Sequence, residues 1–593
     1  MLQEQTRHGI SPWLGSRHLV ATLYRSITNP RRLLQEIAIW RDFRRFQHAG
    51  RGVLEMASGA VTKGDVLLVS LSGSIYGTKI EGMLAKALEF DGYKPIVLTR
   101  RTAYWVQKYF TVFGINEFVF LDDYVLTHEE QETCRRVCDE LMRAPLDLPT
   151  IKTWHFEGAD VGQFAISTTA RLLHRGMPDL SDQRVVAVLR EQLFRSLCGV
   201  FIAKRIFGRL NPQICIFNEV NYSDYGPVYA MALRTGLNIV QYVIGHQDNA
   251  LIFKRLAPET HRIHPNSISR SEMDRISGYA WSPGHDLMLQ EELRSRYSGV
   301  SFAGRRDQKG KQLKDRGAIY DQLGLRRDRK TVVVFSHVLW DANLFYGDDL
   351  FDDNEHWFIE TVRAAAQNDH VNWIVRLHPA ITWKRAWDND RRELNELCAI
   401  REQIGDLPEH VKLQLPENDI NSLSIFEIAD YGVTIRGTVG IELPCLGVPV
   451  LTAGTGRYSG LGFTVDSQTR EEYLSRLSHI HEIPPLTEQQ RILAKKHALA
   501  IFCLRPWVMR SFDTVFDESW AGFHPLNPNL VVRIDSYKSL RAAEDLRKFV
   551  QWCQDTSRFD YMEMWPMPGD DVVGASSRNV MTTMNLPSAD VPA

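Results

Sequence analysis

The chain has 593 residues, more than one hydrophobic core usually serves, so two or more domains are expected. A formal net charge of -2 and a pI near 6.8 leave no basic excess and exclude a generic polyanion binder, so no nucleic-acid partner is expected. Cys134, Cys138, Cys198, Cys215, Cys398, Cys445, Cys503 and Cys553 form no CxxC pair, and no apolar run approaches the ~18 residues of a membrane span. Both features suit a soluble protein of a reducing, cytoplasmic compartment.

Residues 1–60 read as a basic helical extension. From Asn29-Pro30, "RRLLQEIAIWRDFRRFQ" places Leu33, Ile37, Trp40, Phe43 and Phe46 on one helical face and Arg31, Arg32, Arg41, Arg44 and Arg45 around the other. The pattern is expected to dock on its own domain with a solvated arginine face. It also fits a helix lying on an anionic membrane surface, a peripheral contact with the inner face of the cytoplasmic membrane.

Residues 61–300 read as a first α/β domain. The segments "DVLLVSLSG", "KPIVLTR", "EFVFLDD", "PQICIFNEV", "GLNIVQYVIGH" and "GYAWSP" are expected strands, with "KIEGMLAKALEFDGY" an intervening helix. Residues 301–325, rich in Gly and charge, read as a linker. Residues 326–485 form a second series of strands: "KTVVVFSHV", "VNWIVRLHP", "VKLQLP", "YGVTI" and "VPVLTA". Residues 486–565 read as helices and 566–593 as a disordered tail. Alternating strands and helices imply parallel sheets, hence two doubly wound Rossmann-like domains facing a cleft, with helical extensions at both ends.

Candidate chemistry lies where strands end. In "TIRGTVGIELPC" a strand meets Arg436-Gly437-Thr438 and then a helix, whose free N–H groups would suit a phosphate. Gly437 and Gly440 would let a ligand approach the backbone, Thr438 would cap the helix or bond phosphate, and Glu442 would face a ribose. His337 and Asp341 follow "TVVVF", again at a carboxyl edge; the first would contact a bound ligand, the second its hydroxyls. The acidic run "DDLFDDNE" fits no EF-hand loop and reads as a turn capping the helix "EHWFIETV", so no metal site is expected. In the first domain Ser72, Gly73, Ser74 and Gly77 form a βα turn able to floor an acceptor site. Glu219 follows a strand directly, with Asp224 five residues on; Glu219 is the leading candidate for a base, and Asp224, His246 and Asp248 are further candidates. His264-Pro265 reads as loop.

"FSHVLWDANLFYGDDLFDDNEHWFIETVRAA", "WIVRLHPA" and "RGTVGIELPCLGVPVL", in that order, resemble the capsule polysaccharide biosynthesis family over residues 331–466. That likeness implies a GT-B-type glycosyltransferase related to bacterial Kdo- and sialyltransferases. It also implies that His378-Pro379, with Arg376 just before it, lies beside a donor phosphate. On this reading the partners are a nucleotide-sugar donor and a polysaccharide or lipid-linked glycan acceptor, and no cofactor is needed. Three other functions fit the same features: a nucleotide-sugar epimerase, a CDP-polyol phosphotransferase, and a non-catalytic scaffold.

Overall fold

A computed structural model describes residues 30–55, 61–143, 145–176, 178–298, 307–308, 310–341, 344–387, 390–516 and 528–566. The first sheet runs in the order β13-β6-β5-β4-β1-β2-β3. Its parallel strands are β1 (Gly64–Val69), β2 (Tyr93–Thr99), β3 (Phe118–Phe120), β4 (Ile214–Phe217) and β5 (Asn238–Ile244). β6 (Ala250–Leu256) pairs antiparallel with β5, and β13 (Trp507–Val508) extends that edge. The second sheet, β12-β11-β10-β7-β8-β9, is parallel throughout. It contains β7 (Thr331–Phe335), β8 (Asn372–Arg376), β9 (Val411–Gln414), β10 (Tyr431–Thr434), β11 (Val450–Thr452) and β12 (Val465–Asp466).

Both sheets are therefore doubly wound, and in each the winding direction reverses once. The reversals fall between β1 and β4 and between β7 and β10. At such a point the loops leaving adjacent strands diverge and open a crevice at the carboxyl edge. The strands feeding these crevices are fully buried apolar runs such as Val66–Val69 and Val332–Val334, as parallel sheets covered on both faces require.

Three expectations change. "GYAWSP" forms no strand. The helices Arg270–Ser277 and Pro283–Tyr297 flank it, and Ile268, Met273, Ile276 and Leu289 pack with Ile441, Tyr458, Phe463 and Ala498. Residues 268–297 thus belong with the second half, not the first. Residues 486–565 are not wholly helical, since β13 and the hairpin β14 (Phe512–Phe516) and β15 (Pro528–Val532) lie among their helices. The supposed linker includes the helix Arg316–Leu323, and Gln312 bridges to Ile420. The tail beyond residue 566 lies outside the described residues.

The chain crosses between halves outward after β6 and back through Ala500–Leu504 to β13, and its last described residues return to the second half, where Trp565 stacks on Tyr279 at 5.2 Å. At the return, Asp560 is wholly buried with Lys254 at 2.6 Å and Arg505 at 3.3 Å, and it accepts from the Ser269 backbone N–H. Burial works against the Asp560 carboxylate, but the two cations outweigh it and hold its pKa below the usual range.

Candidate functional site

At the second sheet's reversal, the loops after β7 and β10 touch through a histidine. His337 Nε2 accepts from the Arg436 N–H at 3.4 Å and lies 3.2 Å from Thr434 Oγ1. Burial, with His378 and Arg436 nearby, holds this imidazole well below its usual pKa, so it is neutral, with its proton on Nδ1. His378 follows β8, and its backbone N–H donates to Ser336 Oγ at 3.0 Å. Its Nδ1 accepts from the Ala380 N–H at 3.0 Å, which leaves Nε2 as the proton-bearing atom of the neutral ring. Pro379 immediately precedes the helix Ala380–Trp387 and so opens a helix as well as ending the strand segment.

Glu442 is 2% exposed. Its Oε1 accepts from Tyr297 Oη at 2.8 Å and lies 3.2 Å from Arg296 Nη2, whereas its Oε2 is buried without a hydrogen-bond partner. Three arginines surround this corner. Arg296 Nε and Nη1, Arg436 Nε and Arg457 Nε are likewise buried and unpartnered. Arg457 donates to the Arg436 carbonyl at 2.8 Å, and Arg296 lies over the Phe502 ring at 4.3 Å. Burial pulls Arg457 down to about 10, still a cation at neutral pH; burial also acts on Arg296, but Glu442 more than restores its charge. Unspent donors around one unspent acceptor are costly to bury, so this corner would suit a polar, anionic group.

His246 borders this corner. Its ring meets Phe502 edge-on at 5.1 Å, its Nε2 is buried and unpartnered, and burial with Arg296, Arg457 and Arg505 keeps it neutral. Asp248 is near Tyr76, and together with His246 it lines a small cavity at the carboxyl end of β5. His264 is more than loop. Its ring packs against Tyr346 at 4.7 Å, tilted by 56°, and feels Arg457 and Arg436. The turn it abuts needs Gly347, whose φ is +62° and whose Cβ would strike the Thr455 carbonyl carbon at 2.4 Å.

The phosphate reading of "RGTVG" changes in its parts. The helix Val439–Cys445 has only seven residues, and Thr438 caps it with no side-chain bond, so positive charge comes from arginines and not from a helix terminus. Gly440 is small because Tyr458 fills the space: a Cβ would sit 2.1 Å from the Tyr458 hydroxyl, which itself bonds the Gly437 carbonyl at 2.7 Å. Gly440 is therefore no approach for a ligand. Arg436 pairs with Asp349, and Asp353 caps the helix Asn354–Gln367, so the acidic run serves the fold. Among the described residues no His, Cys, Asp and Glu group suits a metal ion.

Arg376 is not available to a donor. Its buried guanidinium bonds Gln414, Asn418, the Ile420 carbonyl and Ser422, fastening the β9 loop. Asp341 does not face sugar hydroxyls either. It joins the two halves, bonded to Lys384 of its own domain and to Arg171 at 3.1 Å and Tyr222 at 3.5 Å across the cleft. Burial opposes its charge, but Lys384 and Arg171 win and lower its pKa.

Opposite stands Glu219, the second residue after β4. Its Oε1 accepts from the Val220 and Asn221 N–H groups at 2.8 and 2.9 Å, yet burial raises its pKa, with Arg171 pulling the other way. Asp224 is unlike it: half-buried and bridged by Arg100 at 2.9 Å and Arg195 at 2.6 Å, it is spent on ion pairs within the first domain. Ser72, Gly73 and Ser74 form an exposed turn beside Glu219's loop, tied to it by Tyr225 Oη accepting from the Leu71 N–H at 3.2 Å. Gly73 takes a φ of +68°, Ser74 caps the following helix through the Gly77 N–H, and Gly77 is buried.

Two doubly wound domains meeting edge to edge, each offering its reversal point to a common cleft, define a GT-B-like α/β architecture. Neither a protein-family model nor a curated protein matches the chain. Among solved structures, the chain is similar to KpsC beta Kdo 2,4 transferase of Thermosulfurimonas dismutans, at 16% identity over 56% of this chain and 87% of that one, with a TM-score of 0.32. It is similar to the beta Kdo 2,7 transferase of the same KpsC at 14% identity, over 59% and 89% of the two chains, TM-score 0.29. UDP-GlcNAc 2-epimerase from Neisseria meningitidis, bound to UDP-GlcNAc, gives 10% identity over 72% and 94%, TM-score 0.24. Superpositions this partial assign no activity.

Proposed function

We propose that the protein is a GT-B-type glycosyltransferase that moves a sugar from a nucleotide-sugar to a growing cell-surface polysaccharide or its lipid-linked primer. The observation that carries the reading is the buried corner of Arg296, Arg436 and Arg457 around the unspent Oε2 of Glu442. A nucleotide-sugar meets both demands at once, its phosphates taking the arginine donors and its ribose hydroxyls donating to Glu442. His378 Nε2–H is placed to donate to the phosphate oxygen that gains charge as the sugar leaves. Across the cleft, Glu219 takes the proton of the attacking acceptor hydroxyl, with the turn Ser72–Ser74 as the floor on which the acceptor rests. Three arginines supply the positive charge that a divalent ion would otherwise bring, so we expect transfer without a metal.

A thermal-shift screen of nucleotide-sugars, CMP-linked ones included, tests the donor half, because a ligand of the native state raises the melting temperature by mass action. One nucleotide class should stabilise the protein, and Arg457→Ala should abolish that gain. The stabilising donor is then incubated with and without glycan acceptor. A glycosidic product only in the presence of acceptor is the expected result; an altered sugar from donor alone would replace transferase with epimerase, and a phosphodiester product would indicate polyol phosphate transfer.

A further inference from the structure

We propose that the outward face of the helix Pro30–Gly50 is a docking surface for an anionic phospholipid bilayer. The helix is fastened to the first domain by Ile39, Phe43 and Phe46, all buried, and by Asp42, whose carboxylate holds the buried Lys79 ammonium at 2.7 Å and accepts from Asn529 at 2.7 Å and from Tyr109 at 2.5 Å. That anchoring uses one side only. On the other, Leu33, Leu34, Ile37 and Trp40 are 41%, 63%, 37% and 54% exposed, a contiguous apolar stripe on a rigid support.

The charges around the stripe choose its occupant. Arg41, Arg44 and Arg45 are exposed, with the Arg44 guanidinium 5.9 Å from the Trp40 ring centre. Both acids of the helix are turned inward: Asp42 is in the buried pair, and Glu36 accepts from Trp105 Nε1 at 2.7 Å. The outward face is thus apolar and basic, with a tryptophan at the boundary, the composition that lies in a headgroup layer. No helix among the described residues is long and apolar enough to cross a membrane, so the contact is a surface one.

The bond from Glu36 also fixes orientation. Trp105 is in the first turn of the helix that follows β2, at the carboxyl edge of the sheet, where Ser72–Ser74 and Glu219 also lie. The stripe and the cleft mouth of the first domain therefore share one rim. Docked, the protein would hold its acceptor turn at the bilayer surface. That last step rests on the transferase reading; the docking itself does not.

Flotation of the full chain with vesicles tests it. Binding is expected to phosphatidylglycerol–phosphatidylcholine vesicles, and to weaken strongly in pure phosphatidylcholine and at 0.5 M salt by about tenfold or more. The double variants Leu34→Glu/Trp40→Glu and Arg41→Glu/Arg44→Glu should each lose binding by about tenfold or more, with melting temperature and nucleotide stabilisation unchanged. No flotation of the wild-type chain with the anionic vesicles would overturn the proposal. So would concentration-dependent self-association abolished by the same variants, which would make the stripe a contact between copies. Loss of transfer with flotation intact would count against the transferase reading alone.

Discussion

Arg296 and Glu442 meet at 3.2 Å, although one ends a helix from the segment that crosses out of the first domain and the other lies inside the second. Only one carboxylate oxygen is used in that meeting. Glu442→Gln keeps the shape and the bond from Tyr297 but removes the charge-assisted acceptor. Nucleotide affinity should fall by about tenfold or more, as loss of a hydrogen bond to a charged group implies. Calorimetric titration reads it, and wild-type affinity would dismiss the ribose assignment.

The His378 backbone is held by Ser336 and its imidazole by the Ala380 N–H, just beyond the strand, so removing the ring leaves the strand's own ladder intact. His378→Ala should leave the melting temperature and nucleotide affinity close to wild type and reduce turnover by roughly 10². A steady-state comparison at saturating donor decides the matter; unaltered turnover takes His378 out of the mechanism.

Glu219 acts only when ionised, and burial raises its pKa. Activity should therefore rise with pH along a limb displaced above the ordinary carboxylate range. Arg171 favours the ionised form, so Arg171→Gln should move the limb to still higher pH. Glu219→Gln should remove the limb and about 10² or more of the rate. A pH–rate profile of kcat/KM that is identical in wild type and Arg171→Gln would exclude Glu219 as the titrating base.

Glu396 lines a cavity of about 90 Å³ at the domain seam, together with His174, Trp340 and Arg385. Burial and the neighbouring Glu355 raise its pKa to about 7. The folded state therefore holds a proton that the unfolded chain releases at lower pH. Its contribution to stability is fully present below the unfolded value and is lost as pH rises through the folded one. Between roughly pH 4.5 and 7 that loss is about 3 kcal/mol. Urea midpoints at the two ends of this window should converge in Glu396→Gln; an unchanged difference would show that other groups carry the dependence.

Gly440→Ala drives a methyl group into the Tyr458 ring and hydroxyl and should destabilise by about 1–3 kcal/mol. Because Tyr458 also holds the Gly437 carbonyl, nucleotide stabilisation should weaken in parallel. Full stability in denaturant would mean that Tyr458 moves aside at no cost.

The alternating strands and helices were legible because buried parallel strands write themselves as short apolar runs, and Glu219 was singled out because it follows such a run closely. Other residues of the site could not be found this way. Arg457 and His264 sit in loops with no periodic signal, and only the packing of residues 268–297 against the second half brings Arg296 to Glu442. Arg376 and Asp341 misled for the opposite reason: both stand at carboxyl edges, yet one faces into its own domain and the other is consumed in joining the halves. A position at a strand end says that a side chain is near the crevice, not which way it turns.

The repeated crossing of the chain has a mechanical corollary. Two halves joined by one connection can swivel freely, whereas each further passage restricts their relative rotation. The Asp560–Lys254–Arg505 cluster is wholly buried where these passages meet, so separating the halves there would expose three charges. Any relative motion is therefore expected to spare this cluster and to fall where Asp341 meets Arg171 and Tyr222.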